Sequence, residues 1–140
     1  MAVTKATSMP VETQRGTVSK KALWAGYILS FLPIPLLLMS AVMKFLKPSD
    51  VVEGFAHLGW PSELALALGI LELTCVVLYI IPRTAVLGAI LLTGYLGGAI
   101  ATHVRIGEPF VVQAILGAVL WLGLYLRDTR IRTLIPLRRP

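Results

Sequence analysis

The chain of 140 residues is 56% hydrophobic and 14% charged, whereas soluble domains are about 45–50% apolar and about 25% charged. Its long apolar runs lack the broad, strongly polar face that a soluble helix turns to water, which excludes an ordinary soluble helical domain. The net charge of +6 does not indicate nucleic-acid binding, because the basic residues lie in tails beside apolar runs. These features predict an all-α integral membrane protein whose main partner is the lipid bilayer.

The first span follows a polar tail. Residues 1–21 are rich in Thr and Ser and lack helical periodicity, which predicts a disordered cytoplasmic tail. Residues 22–43 are uncharged, and this run is longer than the roughly 7–15 apolar residues of a signal peptide. We therefore expect it to remain as a membrane span, kinked at Pro33 and Pro35.

One face of this span carries polar side chains. Either this face turns towards the protein, or its serines bond their own backbone while its lysine extends to the lipid headgroups. The residues on this face at helical spacing are Ser30, Pro33, Leu37, Ser40 and Lys44.

A short interfacial helix is predicted next. Asp50 with Glu53 three residues later resembles a helix start, and Gly59 is suited to end the helix. We expect this helix to lie flat on the membrane, with Trp60 at the interface and the second span, 61–81, directly after it. The apolar residues on its common face are Val51, Val52, Phe55 and Leu58.

The second span and the third, residues 84–104, should form a tight antiparallel hairpin because only Pro82 and Arg83 separate them. One face of the second span is small and polar, and the other is large and apolar. This division predicts a packed side and a lipid side. The residues of the predicted packed side are Ala65, Gly69, Glu72, Cys75, Val76 and Tyr79.

The third span repeats small residues at a spacing of four. Gly94 with Gly98, and Gly97 with Ala101, predict close packing against a neighbouring helix. The fourth span, residues 109–126, contains no charged residue. The predicted transmembrane domain therefore comprises residues 22–126, and a basic tail, 127–140, follows it. The sequence thus predicts a four-helix bundle with short loops.

The basic residues predict the orientation. With four spans, both termini lie on one side, and ten of the 13 Lys and Arg residues lie in the termini or at Arg83. The opposite loops hold Lys44, Lys47 and Arg105. Cytoplasmic segments of membrane proteins carry the excess of Lys and Arg. We therefore expect the protein to lie in the inner membrane of the cell, with both termini in the cytoplasm.

Antiparallel spans at matched depth bring polar residues into two predicted groups. Structural roles account for several of them, since acidic side chains favour helix N-termini. No second metal or haem ligand stands at helical spacing from the one histidine of the third span, so we expect no metal site. The intramembrane group is Glu72, Thr93, Tyr95 and His103, and the outer-mouth group is Lys44, Glu63, Glu108 and Gln113.

Glu72 is the residue most suggestive of function. A charge at the bilayer centre costs on the order of 2.5–3.5 kcal/mol, so this side chain should face protein. It could tether helices through Thr93 or Tyr95, relay protons, or hydrogen-bond a quinone or another substrate. The sequence has no nucleotide-binding glycine motif, metalloprotease motif or nucleophile elbow. We therefore expect no catalytic activity of its own.

Three segments resemble the DoxX-like family of small four-span bacterial membrane proteins, and the resemblance covers residues 22–138. It implies a four-helix inner-membrane protein, with relatives associated with thiosulfate:quinone oxidoreductase or with oxidative-stress complexes. The family's recurrent acidic position falls on Glu72, and its Ala-Thr-His motif on Ala101, Thr102 and His103. The segments are LGWPSELALALGILEL, YIIPRTAVLGAILLTGYLGGAIATHVRIGEP and WLGLYLRDTRIRTLIP.

The resemblance and the polar residues together lead to one functional hypothesis. It is a membrane subunit or partner of a quinone-linked redox or oxidative-stress system, with quinone as the candidate cofactor and a soluble or membrane oxidoreductase as partner. One alternative is a small proton-coupled transporter, acting as a homo-oligomer. The other is a membrane assembly factor without a ligand.

Overall fold

The computed structural model describes residues 19–135, which contain seven helices and no strand. Residues 1–18 of the predicted disordered tail lie outside the described residues. Its last three residues do not fit the prediction, because Ser19 caps the first helix and Lys20 and Lys21 begin it. The end of the basic tail, 136–140, also lies outside the described residues. The helices are α1 (Lys20–Phe31), α2 (Ile34–Leu46), α3 (Ser49–His57), α4 (Leu64–Ile80), α5 (Ala85–Arg105), α6 (Val111–Arg127) and α7 (Thr129–Leu134).

Helices α1 and α2 form one long segment that is interrupted at its prolines. Pro33 and Pro35 have no backbone N–H, so neither can donate to the carbonyl group one turn earlier. The predicted kink is confirmed, because the chain turns at Leu32 and Pro33 between the two helices. The two halves meet different partners: α1 packs on α6, whereas α2 packs on α4.

Helices α4 and α5 form the predicted hairpin. The hydroxyl of Thr84 closes the connection by donating to the carbonyl oxygen of Leu78 at 2.8 Å. Leu66, Ile70 and Val77 are exposed on the opposite face of α4. All residues of the predicted packed side of α4 are buried: Ala65, Gly69, Glu72, Cys75, Val76 and Tyr79.

The closest approach of α4 and α5 lies at Gly88. A Cβ added there would be 2.2 Å from the backbone nitrogen of Tyr79. The prediction of close packing at the later glycines is wrong within the described residues, since a Cβ at Gly94, Gly97 or Gly98 would meet no atom within 4 Å. Close packing occurs near the hairpin turn, while Gly94 and Gly98 border a cleft nearer the opposite end.

The end of the bundle that holds the hairpin turn and α7, here called the tail end, is tightly packed. Added Cβ atoms would meet backbone nitrogens at 2.8 Å for Gly26 on α1 and 2.6 Å for Gly123 on α6. The Tyr79 hydroxyl donates to the Leu120 carbonyl oxygen at 2.8 Å. Arg132 of α7 donates to two carbonyl oxygens near the end of α6, which satisfies groups that the helix leaves unpaired.

The predicted short helix is also present at the other end, here called the α3 end. Helix α3 begins at Ser49, buries Phe55, and is followed by Gly59 at a φ of +73°. This positive φ favours glycine, so Gly59 lets the chain reverse direction towards α4.

The outer surface of the bundle is apolar. Two segments within the described residues are long and apolar enough to cross a bilayer, Lys20–Leu46 and Ala85–Arg105. Helices α4 and α6 are also apolar, with 17 residues each. Large apolar side chains stand exposed on every one of these segments, which suits lipid rather than water. Examples are Trp24, Leu36, Met39, Ile70, Ile90 and Ile115.

Candidate ligand cleft

A cleft of about 770 Å³ opens among the helices towards the α3 end. Its size lies within the roughly 300–1,000 Å³ of small-molecule sites. The cleft forms because α1 covers α6 at the tail end, whereas α2 packs on α4 instead at the α3 end. Its walls are mainly apolar and include Leu37, Phe55, Leu68, Leu71, Leu96 and Leu116. Its polar side chains are Ser40, Lys44, Glu72, Tyr95, Thr102, His103 and Gln113.

An ion pair lies in the deep part of this cleft. The Lys44 Nζ atom is 2.9 Å from Glu72 Oε2, and the Ser40 hydroxyl donates to the same oxygen at 3.2 Å. Lys44 also donates to the Oγ and the carbonyl oxygen of Ser40, at 2.5 and 3.3 Å. The Glu72 side chain is only 2% exposed and that of Lys44 15%. The buried carboxylate is therefore compensated by a largely buried ammonium group.

Side-chain direction explains why these two residues meet. Helical side chains tilt towards the N-terminus of their own helix. Lys44 lies two residues before the end of α2, so its side chain points back into the bundle rather than out to the headgroups. Glu72 lies in the middle of α4 and points towards the α3 end. The inward-facing interpretation of the polar face of the first span is therefore confirmed.

The predicted partner Thr93 is wrong. Its hydroxyl donates to the carbonyl oxygen of Ala89 and accepts from Trp121 Nε1, both at 2.8 Å. It borders a smaller groove between α5 and α6. Tyr95, two positions further along α5, lines the same cleft as Glu72. The Tyr95 alternative is compatible with this position beside Glu72. Glu72 also bonds to Ser40 and Lys44 of α2, a tether that the sequence argument did not consider.

A second polar group lies at the mouth of the cleft. His57 Nε2 is 2.6 Å from Glu108 Oε1, and His103 Nε2 is 4.0 Å from the other oxygen of Glu108. His103 Nδ1 faces the Ala99 carbonyl oxygen at 2.8 Å and must carry the proton. Its Nε2 can then accept from Gln113 Nε2 at 3.4 Å. Three predicted site residues thus come together, with His57 added.

Arg105 holds the wall that α3 contributes to the cleft. Its guanidinium donates to the carbonyl oxygen of Leu58 and lies 5.7 Å from the centre of the Trp60 ring. Together with the contact between His57 and Glu108, it joins α3 to the loop between α5 and α6. No local pattern in the sequence indicates this role, since 47 residues separate Arg105 from Leu58.

The predicted outer-mouth group is divided by the fold. Glu108 and Gln113 lie near His103 at the mouth, whereas Lys44 reaches the deep ion pair. Glu63 is exposed on the turn before α4 and is not part of the cleft wall. Across residues 19–135, no three His, Cys, Asp or Glu side chains form a group suited to a metal ion.

Comparison with known protein families decides the relationship. The model of the DoxX-like family matches residues 28–126, from α1 to the end of α6. The chain belongs to the DoxX-like family. The predicted resemblance is therefore confirmed, and the matched range of this DoxX-like protein contains every polar residue of the cleft. Family membership and the apolar helices together indicate a membrane protein. Comparisons with curated proteins and with solved structures found no match.

Proposed function

We propose that this DoxX-like protein crosses the bacterial inner membrane four times, with both termini in the cytoplasm. The spans are the α1–α2 segment, α4, α5 and α6. The 17 residues of α4 and of α6 extend about 26 Å, and spans of about 17–25 residues suit a hydrocarbon core of about 30 Å. The basic residues near the tail end support the orientation. In the described residues these are Lys20, Lys21, Arg83, Arg127, Arg130 and Arg132.

Cysteine labelling in intact spheroplasts tests this topology. In a Cys75→Ala background, we expect a membrane-impermeant maleimide to label Ser49→Cys on α3 without permeabilisation. Arg83→Cys and Arg130→Cys should react only after the membrane is opened, because all three positions are exposed but the last two lie at the cytoplasmic end. Labelling of Arg83→Cys and Arg130→Cys from opposite sides would contradict the four-span arrangement.

The cleft supports the functional part of the proposal, which is binding of a lipophilic molecule with a polar head. Apolar walls left without packing partners lose dispersion contacts. A buried ion pair contributes little net stability. A tail against the leucine wall and a head beside Lys44 and Glu72 would use both features. The proposed role is a non-catalytic membrane subunit or partner of a quinone-linked redox or oxidative-stress system, with the quinone as ligand.

The same geometry favours binding over transport. A transported substrate would have to pass the tail end of the bundle. There the backbones approach so closely that Cβ atoms added to Gly26, Gly88 and Gly123 would come within 3 Å of backbone atoms of a neighbouring helix. A cleft that is open towards one end and closed by such contacts at the other suits a bound ligand.

Filling the cleft tests ligand binding. Gly94 borders the cleft and a Cβ there meets open space, so Gly94→Leu should place a side chain in the ligand's volume. We expect roughly a tenfold loss of the co-purifying lipophilic compound, because a full side chain replaces part of its contact area. Mass spectrometry after mild detergent extraction measures the retained compound per mole of protein.

Gly97→Leu is the matched control. Gly97 lies on the same helix, also meets open space, and borders the smaller groove instead of the cleft. Leucine is a better helix former than glycine, so both variants should keep their helical structure. Retention unchanged by Gly94→Leu, or reduced equally by both variants, would argue against a ligand in the cleft.

A further inference from the structure

The hydrogen-bond donors of Ser40 and Lys44, in the deep part of the cleft, are already used. Ser40 donates its hydroxyl proton to Glu72 Oε2. The three N–H groups of the Lys44 ammonium have three acceptors: Glu72 Oε2, Ser40 Oγ and the Ser40 carbonyl oxygen. A ligand that only accepts hydrogen bonds would have to break one of these contacts to reach either residue.

Acceptors, in contrast, remain available. The hydrogen bonds from Ser40 and Lys44 to the Glu72 carboxylate both reach Oε2, which leaves Oε1 with capacity to accept. A carboxylate oxygen can accept two hydrogen bonds. Tyr95 lines the cleft beside this carboxylate, to which its hydroxyl can donate, and the phenol oxygen then remains as a further acceptor. The deep end of the cleft is therefore richer in free acceptors than in free donors.

The charges at this site also select the head group. Lys44 and Glu72 neutralise each other at 2.9 Å. An anionic head would compete with Glu72 for the ammonium group and leave the carboxylate unpaired in apolar surroundings. A cationic head would compete with Lys44 for the carboxylate and leave the ammonium group unpaired. Because an unpaired buried charge is costly, an uncharged head is favoured in both cases.

We infer that the cleft takes an uncharged lipophile whose head donates a hydrogen bond, such as a phenol or hydroquinone, to the Glu72 carboxylate. The same molecule with its hydroxyl methylated, or oxidised to a carbonyl, binds less tightly. This inference rests on the proposed function and makes it more specific: in a quinone-linked role, the reduced quinol is the preferred ligand. It concerns binding alone and assigns no electron transfer to the protein.

Two matched probes test the inference on the full-length protein in lipid nanodiscs. 4-Octylphenol and 4-octylanisole share the same tail and ring and differ in one methyl group on the oxygen. We expect 4-octylphenol to bind roughly tenfold or more tightly, the size expected for a hydrogen bond to a charged acceptor. Equilibrium dialysis against empty nanodiscs corrects for partition into lipid.

The possible results separate this inference from the proposed function. Equal binding of both probes would overturn the donor preference and leave a lipophile-binding cleft. Binding of neither probe would overturn both. In the double variant Lys44→Met with Glu72→Leu, the preference should fall to within about twofold while 4-octylanisole binds as before. Thr93→Val, outside the cleft, should keep the full preference. A full preference in the double variant would also overturn the inference. If the double variant does not fold, the comparison of the two probes on the wild-type protein decides the inference.

Discussion

Glu72→Leu should lower the free energy of unfolding in mixed micelles by about 3 kcal/mol, because it leaves the Lys44 ammonium buried without its partner. Lys44→Met should cost at least as much, since the carboxylate it leaves behind is only 2% exposed. The double variant should lose less than either single variant, because it removes both charges from the apolar interior. Midpoints of unfolding at increasing SDS fraction measure all three.

This double-mutant cycle of Glu72 and Lys44 has a control on the same helix as Glu72. Thr74 is exposed on α4, and its hydroxyl bonds the Ile70 carbonyl oxygen of its own helix. Thr74→Val should therefore change stability by less than about 0.5 kcal/mol and should add independently to Lys44→Met. If the Glu72 and Lys44 variants were also additive, the ion pair would have no energetic role.

The second large effect is expected at Gly88. The Cβ introduced by Gly88→Ala would lie 2.2 Å from the nitrogen and 2.5 Å from the Cα of Tyr79. These are backbone atoms that no side-chain rotation can move, so α4 and α5 must separate. Such overpacking costs about 3 kcal/mol or more. The same unfolding measurement in micelles should show a clearly lowered midpoint.

Gly97→Ala provides the comparison for Gly88→Ala. It makes the same chemical change on the same helix, but its Cβ meets no atom within 4 Å. We expect unchanged stability or a gain of up to about 1 kcal/mol, because alanine is the better helix former. Equal losses from the two variants would mean that helix propensity or the micelle, rather than contact with Tyr79, sets the effect.

Local patterns in the sequence were sufficient for much of the fold. The spacing of small and polar residues assigned the packed face of α4, and Pro33 and Pro35 placed the break between α1 and α2. The acidic start and Gly59 bounded α3. These features depend on helical periodicity and on backbone groups within a few residues, which the sequence states directly.

The sequence was less informative about which helices approach each other. It placed close packing at Gly94 and Gly98, although the tight contact of α5 is at Gly88. Small residues permit close approach but do not reveal the depth at which two helices converge. That depth follows from the tight hairpin turn at one end and the cleft at the other, both properties of the assembled bundle.

The amino-acid sequence by itself determined an apolar, all-helical chain of the DoxX-like family with a lone acid, Glu72, turned away from lipid. Only the tertiary structure decided that this acid pairs with Lys44, which lies 28 residues earlier in the chain, and not with Thr93. The physical reason is the proline kink. It directs α2 onto α4, which brings the two charges together and leaves the cleft beside them.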